Sequence, residues 1–327
     1  MGGNALKNTH CVRENTDVYT KIKNTVLSKL QIYHDFVTII EMPEKDSFGD
    51  LDIMYEFKNN IHIRELVNHL FSPKETCSSG DVFSFSYEIS SDEYFQIDLI
   101  KVKNIDIAQF YYGYGVVGLI LGLILKKNNL TLGIDGLWAN YESCRIVLST
   151  NPREICEYCG LDYAKWVSGF NTYNELFDWV LGCKYLDKKF FAIENLNHKY
   201  KTVYEKKAIF KQFIEYIAAA KNTETLDTKR EKPTVLEHVV FFGKQPEKET
   251  IDKKIHVNKI HQEKFNGRVF LQYVNAKDIN KYKESFKQHI IMTLLYEDFD
   301  EYLTRTDTEI IHNEIARFCA QQGSRQC

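Results

Sequence analysis

Asp50 and Asp52 stand two residues apart in Ser47-Phe48-Gly49-Asp50-Leu51-Asp52-Ile53-Met54-Tyr55, and Asp98 lies in a second apolar run, Tyr94-Phe95-Gln96-Ile97-Asp98-Leu99-Ile100. Residues i and i+2 of a strand share one face, so the first two carboxylates point the same way. A charged side chain between Ile97 and Leu99 is costly unless it has a partner or lies at an exposed edge. Three acids meeting at one edge of a sheet repel one another until a divalent cation neutralises them. Such hard oxygen donors suit Mg²⁺ or Mn²⁺ with substrate phosphates completing the shell. Two ions about 4 Å apart can lower the pKa of an attacking hydroxyl and stabilise a leaving pyrophosphate. Gly-Asp-x-Asp is also what an ordinary turn-to-strand junction looks like, so the third acid and the order of elements must decide between the two.

The elements around these acids are legible from periodicity. Ile22, Val26, Leu30 and Tyr33 recur at helical spacing over residues 17–33, with Asp17 as the cap. A strand is expected over 36–40, a loop over 43–49 and a strand over 51–57, which puts the paired acids where loop becomes strand. A short helix over 61–71 follows. Strands over 82–89 and 94–102, joined by Ser90-Ser91-Asp92-Glu93, form a hairpin that delivers Asp98. The apolar run 110–125 is shorter than the ~20 residues a membrane span needs. It reads as a buried helix whose Gly115, Gly118 and Gly122 allow close approach to a sheet. Strands over 130–140 and 144–148 close a first domain near residue 150.

From Asn151-Pro152-Arg153-Glu154 the pattern turns helical, with a capping residue, proline at the first helical position and an acid in the first turn. Helical periodicity continues through 174–180, 203–219, 281–295 and 308–320. The polar segments 222–234 and 243–254 are expected to be loops. The fold class expected is α+β: a mixed or antiparallel sheet with flanking helices over 1–150, then a mainly helical domain over 151–327 that binds substrate.

Composition bounds the partners. At 327 residues and 44% hydrophobic content the chain can build two cores. A formal charge of −3 provides no global attraction to a polyanion, so any nucleic acid must be gripped by a local basic surface. The eight cysteines are scattered rather than densely spaced, which points to free thiols in a reducing compartment. No charged region followed by an apolar core marks a signal peptide, and Leu6 stands where a myristoylation site wants Ser or Thr. The expected location is the cytoplasm, the host's if the protein is viral, without membrane attachment.

Cys156-x-x-Cys159 lacks a second pair to complete a four-ligand zinc site and reads as core packing. His256 and His261 do not share a helical face and read as solvated surface. From Lys184 to Lys211 eight lysines face three acids, and Lys188, Lys189, Lys199, Lys201, Lys206 and Lys207 are candidates to neutralise nucleic-acid phosphates. Interleaved Tyr185, Phe190, Phe191, Tyr200 and Tyr204 are candidates to stack on bases. The alternative is an amphipathic helix with a solvated lysine face.

Gly49-Asp50-Leu51-Asp52, followed by Ile97-Asp98-Leu99, resembles the DNA polymerase β type of nucleotidyltransferase superfamily over roughly residues 17–125. That resemblance implies a metal-dependent transfer of a nucleoside monophosphate from an NTP to a hydroxyl, with Asp50 and Asp52 bridging both ions and Asp98 serving the acceptor side. Members usually place Gly-Ser or Gly-Gly on a helix-opening turn about ten residues before the paired acids, where backbone amides hold the triphosphate. Here that window reads Ile39-Ile40-Glu41-Met42-Pro43. Gly2-Gly3, or the backbone of Ser47 to Gly49 with Lys45, are the candidates to replace it.

Ser47, Gly49 and Lys45 are accordingly the expected nucleotide contacts, and Lys101 and Lys103 further phosphate partners. Phe265-Asn266-Gly267-Arg268-Val269 with Ala276-Lys277-Asp278-Ile279 is similar to the tail of template-independent RNA nucleotidyltransferases, which points to an RNA 3′ end as acceptor, with DNA as the alternative. In its lysine-, asparagine- and tyrosine-rich style the chain is similar to uncharacterised nucleotidyltransferase-like proteins of large DNA viruses. Two other readings stand beside this one: an inactive nucleic-acid-binding or scaffold protein of the same fold, and a nucleotidyltransferase acting on a protein or small molecule.

Overall fold

A computed structural model of the chain describes residues 3–33, 35–56, 62–219, 233–294 and 298–323. The chain divides into two compact units, Met1–Lys244 and Gln245–Cys327. Phe57 and Ile61, the end of the helix expected over 281–295 and most of the segment 222–234 lie outside the described residues.

The first unit begins with β1 (Glu14–Asn15), α1 (Thr16–Leu30), β2 (Phe36–Thr38), β3 (Ser47–Phe48) and β4 (Asp50–Glu56). Next come α2 (Ile63–Phe71), β5 (Thr76–Ser79), β6 (Val82–Ser90) and β7 (Glu93–Val102). Five strands make one mixed sheet in the order β2-β4-β7-β6-β5, in which β4 and β7 are parallel and the other neighbours antiparallel. The short β1 and β3 pair separately.

Alternation sorts the sheet into two faces. Leu51, Ile53, Tyr55, Phe83, Phe85, Phe95, Ile97 and Leu99 form one core with Tyr19, Ile22, Val26 and Leu30 of α1 and Val67 of α2. The opposite face carries the acids.

α1 starts one residue earlier than the periodicity suggests. Its cap is Asn15, whose side chain accepts from the amides of Asp17 and Val18, rather than Asp17 itself. It also ends at Leu30, which leaves Tyr33 half exposed beyond the helix. β5 has no apolar alternation to announce it, because Thr-Cys-Ser-Ser is a polar edge strand completed only by pairing with β6.

The run 110–125 is not one helix. It is divided into α3 (Ile105–Tyr112) and α4 (Val117–Lys126), which meet at 104°. The break falls at Gly113–Gly115, where Tyr114 and Gly115 both take left-handed backbone. Gly118 is needed for the approach of the two helices to each other, since a Cβ there would lie 2.4 Å from the Tyr111 carbonyl oxygen. Among the described residues no single helix is long and apolar enough to cross a membrane.

The stretch 130–148 holds three strands rather than two: β8 (Leu130–Gly133), β9 (Gly136–Tyr141) and β10 (Cys144–Ser149) form a second, antiparallel sheet. Gly136, at φ +137°, follows the tight turn that periodicity alone conceals.

The helical region starts as its capping residues predict, with Asn151 accepting from the Arg153 amide ahead of α5 (Pro152–Cys159). α6 (Tyr163–Ser168), α7 (Tyr173–Leu181), α8 (His198–Lys206), α9 (Ala208–Ala219) and α10 (Val235–Phe241) complete the first unit. The expected helix over 203–219 is interrupted at Lys207, whose extended backbone separates α8 from α9.

The second unit is helical among its described residues: α11 (Gln245–Lys264), α12 (Gly267–Phe270), α13 (Ile279–Leu294), α14 (Phe299–Arg305) and α15 (Thr308–Gly323). Its core is aromatic, built on Phe265, Phe270, Phe286, Phe299 and Phe318. The segment 243–254, expected as a loop, is mostly helical. From Gln245 the segment is the start of α11, with Pro246 in the first turn, where its missing amide hydrogen is harmless.

Candidate metal centre

Parallel pairing of β4 with β7 sets Asp52 opposite Asp98 and Asp50 opposite Gln96. Because 50, 52, 96 and 98 have one parity, all four side chains leave the same face of the sheet. One carboxylate oxygen from each of Asp50, Asp52 and Asp98 lies within 4.8 Å of the others, a spacing that a shared divalent cation can bridge. The three acids are half-buried. On the same face towards the strand ends, Met54, Ile100 and Val102 pack on Ala108 of α3.

The neighbours of Asp98 are built for a carboxylate. Gln96, 2% exposed, donates its Nε2 to both Asp98 oxygens at 2.9 and 3.0 Å. Ser84, buried and opposite Asp98 on β6, donates its hydroxyl to the same group. Asp50 accepts at Oδ2 from the Gly3 amide at 3.0 Å.

Burial, then the charges of Asp50 and Asp98, push Asp52 up to about 7, against a smaller opposing pull from Lys45. Asp98 is also raised, first by burial, with Asp50 adding to it and the Ser84 and Gln96 hydrogen bonds opposing. Both shifts favour the protonated carboxyls in the absence of a cation, and a bound cation would compete with those protons. An all-carboxylate donor set of this spacing fits Mg²⁺ or Mn²⁺.

Asp50 and Asp52 open into a cleft of ≈ 430 Å³. Its wall holds Tyr19, Tyr111, Tyr112 and Tyr173, with Lys45 and Lys207 as the cations. Glu41 lines it too, paired with Lys45 at 2.9 Å and accepting from the Tyr19 hydroxyl. Lys45 also lies 4.3 Å from the centre of the Phe48 ring, which stacks on Tyr19.

The bend between α3 and α4 supplies Tyr111, Tyr112, Tyr114, Gly115 and Val116 to this wall. The interruption at Lys207 supplies Lys207 and Ile209. The window that carries Glu41 and Met42 is held to α3 by Gln109, which donates to the Thr38 carbonyl and accepts from the Ile40 amide. The Tyr114 amide donates to the Ile40 carbonyl at 2.8 Å.

The remaining sequence-predicted residues are distributed differently. Ser47 does not line the cleft: its hydroxyl and carbonyl oxygens accept from Arg13 at 3.1 and 3.0 Å. Gly49 is buried with its carbonyl beneath Gly3. Lys101 has the opposite parity to Asp98 and leaves the other face of β7, and Lys103 is paired with Asp135 at 2.8 Å.

Of the basic stretch, Lys207 alone lines the cleft, whereas Lys188, Lys189, Lys199, Lys201 and Lys206 lie on the turns and helix before it. Phe191 is unsuited to stacking on a base, because it is buried edge-on against Phe213. Tyr185 packs on Tyr158 instead. Cys156 and Cys159 are buried, and the Cys159 thiol donates to Cys183. His256 is exposed, and His261 contacts Asp300 at 2.6 Å.

No site role was expected from sequence for Gln96, Ser84, Glu41 or the four tyrosines of the α3–α4 bend and α7, Tyr111, Tyr112, Tyr114 and Tyr173. Gln96 was detectable, being a polar residue of the same parity as Asp98 in an otherwise apolar strand. The tyrosines carry no such signal, since the bend that aims them is a tertiary feature. No protein-family model matches this chain, and no curated protein is significantly similar to it.

Proposed function

We propose that the first unit is a metal-dependent nucleotidyltransferase, transferring a nucleoside monophosphate from an NTP to a nucleic-acid hydroxyl, with an RNA 3′ end as the first acceptor to test. The observation that carries this reading is the meeting of Asp50, Asp52 and Asp98, two of which line an aromatic, lysine-bearing cleft.

Asp50, Asp52 and Asp98 would hold Mg²⁺ or Mn²⁺, which when bound neutralises triphosphate charge and acidifies the attacking hydroxyl. Lys45 and Lys207, which both line the cleft, would meet phosphate oxygens. Tyr111, Tyr112 and Tyr173 line the same cleft and would stack on a base. Gln96 and Ser84 keep Asp98 oriented while its charge state changes. Because Glu41 already occupies Lys45, a triphosphate must take Lys45 from Glu41 or share it.

One observation favours a second reading, binding without turnover. The window expected to cradle phosphates is filled by Ile40, Glu41 and Met42, and Glu41 places an anion where an anionic ligand would lie. Incubating the protein and its Asp98→Ala variant with labelled NTPs, Mg²⁺ or Mn²⁺, and a panel of RNA and DNA primers tests both. Primer extension by the wild type that Asp98→Ala lacks supports the transferase. Oligonucleotide binding with steep salt dependence, without NTP affinity in calorimetry, supports the binding protein. Label appearing on protein or a small molecule instead of a primer would move the acceptor class.

A further inference from the structure

Resting on the metal-centre reading, we propose that the segment Gly3–Val12 is a positioning arm for the acid cluster, and that Gly3 and Gln96 set the cluster's affinity for a divalent cation. The arm has almost no regular secondary structure, yet it is pinned at four places. The Gly3 amide donates to Asp50 Oδ2 at 3.0 Å, and the Ala5 amide to Gln96 Oε1 at 2.9 Å. The Lys7 and Asn8 amides donate to the two oxygens of Glu75 at 3.1 and 3.0 Å. Cys11 bridges to Tyr94, and the Val12 amide donates to the Tyr94 carbonyl at 2.9 Å. Leu6, 6% exposed, anchors it in the apolar interior.

The arm thus reaches two of the three acids, one directly and one through a relay. A glutamine side chain can present either its oxygen or its nitrogen to a neighbour. With the Ala5 amide facing Oε1, the Gln96 nitrogen must face Asp98, where it meets both carboxylate oxygens. Losing the arm would free Gln96 to turn and would remove the donor that holds Asp50.

Gly3 is required at its position for two independent reasons. Its φ of +83° lies in the left-handed region, and a Cβ there would sit 2.3 Å from the Gly49 carbonyl oxygen, next to Asp50. An alanine must therefore move the arm away from the acids. Partners that orient metal ligands typically contribute ten- to a hundredfold in affinity.

The test is a Mn²⁺ titration of the full chain, read as free Mn²⁺ by electron paramagnetic resonance, with no turnover needed. Gly3→Ala and Gln96→Leu are expected to weaken Mn²⁺ binding by about tenfold or more. Gly243→Ala is the control. It also places a Cβ on a left-handed glycine, at φ +64° with nothing within 4 Å, and should bind Mn²⁺ like the wild type. Equal affinities for wild type and both arm variants would overturn the positioning role while leaving the metal centre standing. A comparable loss in Gly243→Ala would overturn it as well, by showing general loosening. Wild-type protein that binds no Mn²⁺ would instead remove the metal centre itself, and the arm's role with it. Should Gln96→Leu fail to fold, Gly3→Ala decides alone.

Discussion

The two faces of the β4–β7 pair are built from alternating residues of the same strands and have opposite economies. Leu51, Ile53, Ile97 and Leu99 are fully buried beneath α1 and α2, so that face gains stability from every side chain it hides. Asp50, Asp52 and Asp98 on the other face hold like charges within 4.8 Å of each other and sacrifice stability when no cation is bound. The lesson is that one residue of parity separates a position that holds the fold from one that strains it.

Substitutions on each face should therefore move stability in opposite directions. The largest effect is expected from Leu99→Ala, which leaves a cavity under α1 and should lower unfolding free energy in urea by about 2–5 kcal/mol. A loss below about 1 kcal/mol would mean that the two faces do not differ as described.

Asp52→Asn should do the reverse in metal-free protein. The Asp52 carboxyl is raised from 3.8 to about 7, so its contribution to folding is fully present below pH about 4 and is lost as pH rises to about 7. In EDTA the wild type should therefore melt at progressively lower temperature between those values. Asp52→Asn should flatten that fall and be the more stable protein at pH 8, by on the order of 1–3 kcal/mol. A steeper fall in the variant would contradict the raised Asp52 carboxyl.

The smallest effect is expected in the cleft that Asp50 and Asp52 line. Lys207→Ala should weaken NTP binding in the presence of Mn²⁺ by roughly tenfold in calorimetry, about 1–2 kcal/mol. Lys201→Ala, outside the cleft, should leave it unchanged. Equal losses in the two would relocate phosphate recognition to the helical lysine surface.

Local signals were legible wherever a short-range rule governs the outcome. Asn151-Pro152 marks a helix start because capping needs only its own turn, and the hairpin ending in Asp98 is read from a polar turn between alternating runs. The same rules put the α1 cap at Asp17 where the structure has Asn15, since both residue types cap well and the backbone decides which one does. They also concealed the break at Gly113–Gly115 and the turn before Gly136. Each is a chain reversal inside a run whose composition suits one continuous element.

The candidate site divides along the same line. Order in the chain alone places Asp50 and Asp52 on one strand face, because a period of two follows from backbone geometry. It also embeds Asp98 in an apolar strand. Which strand lies beside which is settled by long-range pairing, and the parallel register of β4 and β7 is what brings Asp98 opposite Asp52 and turns Lys101 away. The bend that aims Tyr111 and Tyr112, the return of Gly3 to Asp50 and the burial that raises Asp52 all join residues distant along the chain. Such contacts depend on how the whole unit packs, which no local pattern encodes.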